Sequence, residues 1–144
     1  MLSVRDWLES DLDKIYQIEQ ASFSDPWSRQ MLEDAFNSFN FKGFVIEDGF
    51  NVVGYVGGSY VLDEGEIFLV AVDSAYRNRG YAKELLNALL SRYASFGVKK
   101  VFLEVRKSNA PAIACYTFCG FEKIGERARY YKDGEDAIIM EKRI

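Results

Sequence analysis

The sequence has no histidine, only two cysteines and two prolines, and no apolar run long enough to cross a bilayer. Without histidine, a Ser–His or Cys–His nucleophile pair cannot be built, and Cys115 and Cys119 have too few companions for a metal site. Two cysteines are also too few for a disulfide framework, so both are expected reduced, with one or both packed inward. The scarcity of proline, with no low-complexity tract, leaves no linker to divide the chain, and residues 1–144 are read as one domain. The longest fully apolar run, Ile67 to Val72, is far too short for a membrane span. The opening residues carry charge where an export signal needs an apolar core, so a cytoplasmic protein with no membrane partner is expected. A formal charge of −4 supplies no basic stripe for nucleic acid.

What is present suits one well-filled domain. Apolar residues make up 49% of the 144 and aromatics 15%, enough for a core with some rings left to line a site. Ser10 to Asp13 resembles a capping box with Asp in place of Glu, opening a helix through Leu12, Ile15 and Ile18. Ser24 to Ser28 breaks it, and Ser28 can cap a second helix through Met31, Leu32, Ala35 and Phe36. Strand-like runs follow at 44–47 and 51–62, joined by a turn at Asp48 to Asn51. Glu66 to Asp73 is apolar on both alternating faces and reads as a central strand. From Gly80 to Gly97 the stripe Ala82, Leu85, Leu86, Leu89, Leu90 and Tyr93 marks a long helix. Lys100 to Arg106 is another strand, and Ser108 or Asn109 caps a short helix that Gly120 stops. Phe121 to Tyr130 and Asp136 to Lys142 close the chain as a strand pair. The expected order is β-α-α-β-β-β-α-β-α-β-β, an α/β (α+β) fold with a mixed sheet of about seven strands and about four helices.

Two segments carry chemistry. From Val70 to Ala82 a strand turns through Arg77, Asn78 and Arg79 into a helix whose first residues, Gly80 and Ala82, are small. Free N–H groups and the positive end of the dipole make such a helix start an anion site, and Lys83 adds charge. A solvated turn before an ordinary helix explains the same residues equally well. In the strand 100–106, Glu104 stands in mid-strand, where a carboxylate must be paired or used. Local sequence favours a salt bridge. Tyr116 on the next helix reads as a core tyrosine with its hydroxyl at the rim, and Asn109 as a helix cap. The aromatic groups at 23–27 and 130–131 read first as packing, and Asp133, Glu135 and Asp136 as a solvated turn.

The Arg77 to Ala82 stretch resembles the Arg/Gln-x-x-Gly-x-Gly/Ala signature of GNAT-type N-acetyltransferases. The block from Leu103 to Asn109, with Ala112 to Tyr116 and Gly120-Phe121, is similar to the L-E-V-R-x-S-N-x-x-A-I-x-x-Y-x-x-x-G-F pattern of the RimI-like ribosomal-protein alanine acetyltransferases and their N-terminal acetyltransferase relatives. Ile18-Glu19 with Pro26 to Ser28, and Tyr130 to Met140, extend the likeness over nearly the whole chain. The resemblance implies a GNAT fold and acetyl-CoA as cosubstrate, with no metal. Val70, Ala71 and Val72 would run along the pantetheine arm. Asn78, Arg79, Gly80, Tyr81, Ala82 and Lys83 would hold the pyrophosphate, with Arg77 opening the motif and Asn109 also touching the coenzyme. Glu104 would be the general base and Tyr116 the general acid. Phe23, Pro26, Trp27, Tyr130 and Tyr131 would wall the substrate's path. The implied substrate is the N-terminal amine of a protein or peptide, a ribosomal protein among the candidates. A small amine, a lysine side chain, or coenzyme binding without turnover are the alternatives.

Overall fold

The computed structural model describes residues 1–144. The elements run β1 (Leu2–Asp6), α1 (Leu12–Ser22), α2 (Arg29–Phe36), β2 (Phe41–Asp48), β3 (Asn51–Val61), β4 (Glu64–Val72), α3 (Tyr81–Ser95), β5 (Lys100–Arg106), α4 (Ala110–Phe118), β6 (Glu122–Arg127) and β7 (Ala137–Arg143). All seven strands join one sheet in the order β1-β2-β3-β4-β5-β7-β6. Every pairing is antiparallel except β4 with β5, which is parallel. The order and number of elements match the expectation from sequence.

Each face of the sheet has its own apolar layer. On one face α3 buries Leu85, Leu86, Leu89 and Tyr93 completely against Ile46, Val53 and Val56. Spacings of three and four residues place these side chains on one stripe of the helix. Tyr116 of α4 and Phe121 join this layer. On the other face Leu12, Ile15 and Ile18 of α1 and Leu32 of α2 pack on Val45, Tyr55 and Leu69. Ser28 caps α2 as its sequence suggests, accepting the Met31 N–H at 3.1 Å, a contact worth about 1 kcal/mol.

The start of α1 differs from the sequence reading. A 3-10 turn (Glu9–Asp11) precedes it, and the Ser10 side chain caps nothing. Instead the Asp11 carboxylate accepts the Leu8 N–H at 2.7 Å and binds Arg5 through both oxygens. Arg5 also reaches Glu47 on β2, so an ion-pair cluster fastens β1 to the helix start. Charge pairing across 42 residues of sequence has outcompeted the local hydroxyl cap.

The feature that makes the site is a defect in pairing. The β3–β4 register slips at Gly57/Gly58, so that Phe68 of β4 has no partner across the ladder. A bulge bends its strand. Gly58 accommodates it, since a Cβ there would lie 1.9 Å from the Glu66 carbonyl oxygen. The Tyr93 hydroxyl, 2.7 Å from that same oxygen, donates to it from α3. Beyond the bulge β4 leaves β5: their pairing covers only Glu64–Ile67 against Lys100–Leu103. From Phe68 to Val72, β4 presents an unpaired edge. β4 is the middle strand of the seven, as its sequence suggests, but one of its apolar residues is not covered, with Phe68 39% exposed. The closing strand is also shorter than its sequence suggests. β6 ends at Arg127, and Arg129 takes a left-handed φ of 52°, which turns the chain out of the sheet before Tyr130.

Candidate active site in the splayed sheet

A continuous cleft runs through the gap between β4 and β5, with a wide chamber at each end and a neck between. The chamber on the α3 side has a volume of about 740 Å³. The neck measures about 220 Å³ and the opposite mouth about 900 Å³. Val70 and Asn109 line both the α3-side chamber and the neck, while Phe68 and Glu104 line both the neck and the mouth.

The α3-side chamber is built around a helix start. Asn78 and Gly80 both adopt left-handed backbone, φ 63° and 82°. This bends the chain so that α3 begins at Tyr81 with no side-chain cap. The first backbone bond into the helix is from Glu84 N–H to Gly80 C=O at 3.1 Å. The N–H groups of Tyr81, Ala82 and Lys83 precede it and are left as donors. Nothing lies within 4 Å of a Cβ built on Gly80, so the space over these donors is open. Arg77 does not float free: its Nε donates to the Val72 carbonyl at 3.0 Å and its guanidinium approaches Ser22 Oγ at 3.4 Å. It pins the turn to the end of β4. Donors and cations at one end, and the unpaired β4 edge beside them, suit a long ligand with phosphates at one end and amides along its arm.

Of the coenzyme residues expected from sequence, Val70, Ala71, Val72, Arg77, Asn78, Gly80, Tyr81, Ala82, Lys83 and Asn109 all line this chamber. Arg79 does not. Its guanidinium lies over the ring of Tyr76, 5.1 Å from the centroid. Asn109 caps α4 through the Ala112 N–H at 3.2 Å while facing both chamber and neck.

Glu104 and Tyr116 both border the neck. The Glu104 carboxylate is partly exposed, accepts the Tyr130 hydroxyl at 3.3 Å, and lies 3.5 Å from Arg127. The salt bridge favoured by local sequence therefore exists, as a long contact to an exposed partner of the kind that contributes little. Tyr116 is 9% exposed, and no protein group hydrogen-bonds its hydroxyl. No fully buried side-chain oxygen or nitrogen lacks a partner, so the hydroxyl reaches accessible space in the cleft. Burial pushes its pKa above the ordinary phenol value, keeping the proton on oxygen until a stronger base arrives.

The mouth brings together Pro26, Trp27, Tyr130 and Tyr131, and Phe23 stands at the neck. The Trp27 ring lies 6.0 Å from the Phe68 ring, tilted by 31°, so the bulge residue becomes part of the wall. Three features escaped the sequence. Glu19, 2% exposed, borders the neck and holds the loop by accepting the Trp27 N–H at 3.0 Å. Phe68, within an apolar strand run, gave no sign that it would line the cleft. Asp133 and Glu135, read as a solvated turn, both bind Arg106. The contacts of Phe68 with Trp27 and of Arg106 with Asp133 and Glu135 were hidden by the long stretch of sequence between the partners. Cys115 and Cys119 are free thiols, half-buried against the α3 layer.

Residues 12–121 match the acetyltransferase (GNAT) family. A [ribosomal protein bS18]-alanine N-acetyltransferase of Haemophilus ducreyi is 37% identical over 139 residues, spanning 92% of this chain and 94% of that one. The protein of that name from Escherichia coli K12 is 37% identical over 134 residues, 91% and 90% of the two chains. The crystal structure of the ribosomal-protein-S18-alanine N-acetyltransferase from Escherichia coli superposes with a TM-score of 0.93, at 35% identity, over 100% of this chain and 94% of that one. Ard1 from Thermoplasma volcanium gives a TM-score of 0.93 at 29% identity, over 99% and 97%.

Proposed function

Because the chain belongs to the GNAT acetyltransferase family, we propose that it transfers the acetyl group of acetyl-CoA to the N-terminal α-amine of a protein, by direct attack within a ternary complex. The observation that carries this is the single cleft: uncapped helix donors at one end, an aromatic mouth at the other, and Glu104 with Tyr116 at the neck. The likeness to two alanine N-acetyltransferases at 37% identity makes a ribosomal protein's N-terminal alanine the leading substrate. No helix is long and apolar enough to cross a membrane, and the enzyme is proposed to work as one domain in the cytoplasm.

When bound, acetyl-CoA supplies an activated acetyl thioester. The residues of this chain then have four tasks. The N–H groups of Tyr81, Ala82 and Lys83 hold phosphate, and the free edge of β4 aligns the arm by main-chain hydrogen bonds and helps to polarise the thioester carbonyl. The mouth guides the chain end so that its nitrogen meets the carbonyl at the neck. Glu104 accepts the amine proton, directly or through a water, as the N–C bond forms. Tyr116 donates its proton to the departing sulfur as the C–S bond breaks. With no histidine to activate Cys115 or Cys119, a covalent acyl-enzyme has no support.

The choice of an α-amine follows from proton affinity. An α-amine of pKa ~8 is about one-tenth neutral at pH 7, whereas lysine at pKa ~10.4 is neutral in fewer than about one molecule in a thousand. One carboxylate can complete the first deprotonation, and the second asks much more of it. Two peptides identical except for a blocked N-terminus, each carrying one lysine, test this by acetyl-CoA-dependent thiol release. Only the unblocked peptide should react. Equal rates would overturn the α-amine reading.

A further inference from the structure

Arg106 lies two residues beyond Glu104 on β5, so the two side chains leave the same face of the strand. Its guanidinium joins two loops that are remote in sequence. On one side it binds Asp25, between α1 and α2, at 3.1 Å. On the other it binds Asp133 at 2.8 Å and Glu135 at 2.9 Å, both between β6 and β7. The Tyr131 ring lies beneath it, 4.1 Å from centroid to guanidinium carbon. These loops carry the two walls of the mouth, Pro26 and Trp27 facing Tyr130 and Tyr131.

The arrangement is poor as a stabilising device. Three carboxylates crowd one cation, leaving a net charge of about −2 in the cluster, and isolated exposed ion pairs contribute ~0–1 kcal/mol. It is good as a spacer. The planar guanidinium offers five donors in fixed directions, so it fixes distance and angle as well as charge. Only 19% of the Arg106 side chain is exposed, and Asp25 makes no other ion pair or hydrogen bond. The far end of the α1–α2 loop is fixed separately, through the Trp27 N–H on Glu19.

We propose that Arg106 is a positioning residue that sets affinity for the peptide by holding the two walls of the mouth at a fixed separation, a role that presupposes the peptide-accepting mouth proposed above. It borders the neck beside the reacting groups and does not line the coenzyme chamber. Its loss therefore acts on peptide binding ahead of chemistry.

Arg106→Met keeps the length and the apolar contact with Tyr131 while removing the ion pairs. It should raise KM for an acceptor peptide by roughly 10–100-fold, the range for losing charge-assisted bonds. The turnover at saturating peptide and the calorimetric affinity for acetyl-CoA should stay near wild type. Arg106→Lys, which retains a charge without the fork, should recover part of the loss. Asp25→Asn, at a partly exposed site that leaves the β6–β7 contacts intact, should raise KM in the same direction by less, and should add nothing to Arg106→Met. Hydrogen exchange reads the spacer without turnover: residues 23–27 and 129–135 should both lose protection in Arg106→Met, and only the first segment in Asp25→Asn. Wild-type peptide KM in folded Arg106→Met, or unchanged exchange in both segments, overturns the spacer. A parallel fall in peptide affinity, turnover and coenzyme affinity also overturns it, as the mark of a merely structural residue. Wild-type enzyme that binds acetyl-CoA yet acetylates no peptide removes the substrate reading, and the positioning role with it, even if the loops respond as described.

Discussion

The hydroxyl of Tyr55 in β3 donates a 2.5 Å hydrogen bond to the carboxyl of Glu19 in α1, with both side chains almost wholly buried. Burial raises the Glu19 pKa, opposed by the bonds from Tyr55 and from the Trp27 N–H and reinforced by the charge of Asp25. The folded state thus holds this proton more tightly than the unfolded chain. The group's stabilisation is complete below its unfolded pKa of ~4.3 and is lost as pH rises through the higher folded value.

Tyr55→Phe should therefore destabilise the protein in a pH-dependent way. Removing the donor leaves the buried Glu19 carboxyl with only the Trp27 N–H, at a cost of about 1–3 kcal/mol at pH values where the group is ionised. Below pH ~4.3 the carboxyl is neutral in both states and the loss should shrink. Urea unfolding at acid and neutral pH measures it. A loss independent of pH would show that Glu19 stays protonated throughout.

Gly80→Val should weaken acetyl-CoA binding strongly by placing a branched side chain in the open space above the α3 donors. The left-handed φ of 82° adds a stability cost of roughly 1–2 kcal/mol, larger than expected for an ordinary helix start. Calorimetry on the folded variant separates the two effects. Unimpaired binding would move the phosphate site elsewhere.

Glu104→Gln and Tyr116→Phe should each lower kcat by roughly 10²–10⁴-fold with acetyl-CoA affinity little changed. Tyr130→Phe is the control. It removes the 3.3 Å bond to Glu104 and one polar group of the mouth, so its effect should fall mainly on peptide KM. Near-wild-type turnover in Glu104→Gln would make that carboxylate structural, a partner for Arg127, and would shift attention to Glu19.

Asn109 offers a way to separate a cap from a ligand contact. Asn109→Ala should cost about 1 kcal/mol of stability through the lost bond to the Ala112 N–H. Asn109→Asp should keep the cap and the stability, because a negative charge suits a helix start, yet repel an anionic coenzyme. If thermal unfolding and coenzyme affinity move together in both variants, the residue is a cap alone.

The fold was legible because its elements are locally consistent. The α3 stripe, the Ser28 cap and the Gly80–Gly97 brackets each act within a few residues. Much of the site was legible for a related reason, since Arg77 to Lys83 and Leu103 to Tyr116 are compact stretches. Three kinds of feature were hidden. The Phe68 bulge depends on register against β3, and a hydrophobic strand reads the same with or without a slipped partner. The left-handed Arg129 that ends β6 carries no glycine to announce it. The partners of Arg106 in the β6–β7 loop lie 27 and 29 residues away, so an arginine in a strand gave no sign of what it ties together.

The parting of β4 from β5 also creates a hazard. A strand edge with free N–H and C=O groups is a template on which other chains can pair, and folded proteins blunt such edges with charge, proline or a short length. Phe68–Val72 has none of these protections. Its safety is depth, since the edge lies at the floor of a groove roofed by Phe23, Trp27, Tyr131 and α4. The loops over the groove therefore also guard against self-association, and shortening 23–27 or 129–135 should lower solubility before it lowers stability. The cosubstrate, lying along that edge, would act as its last protective cover.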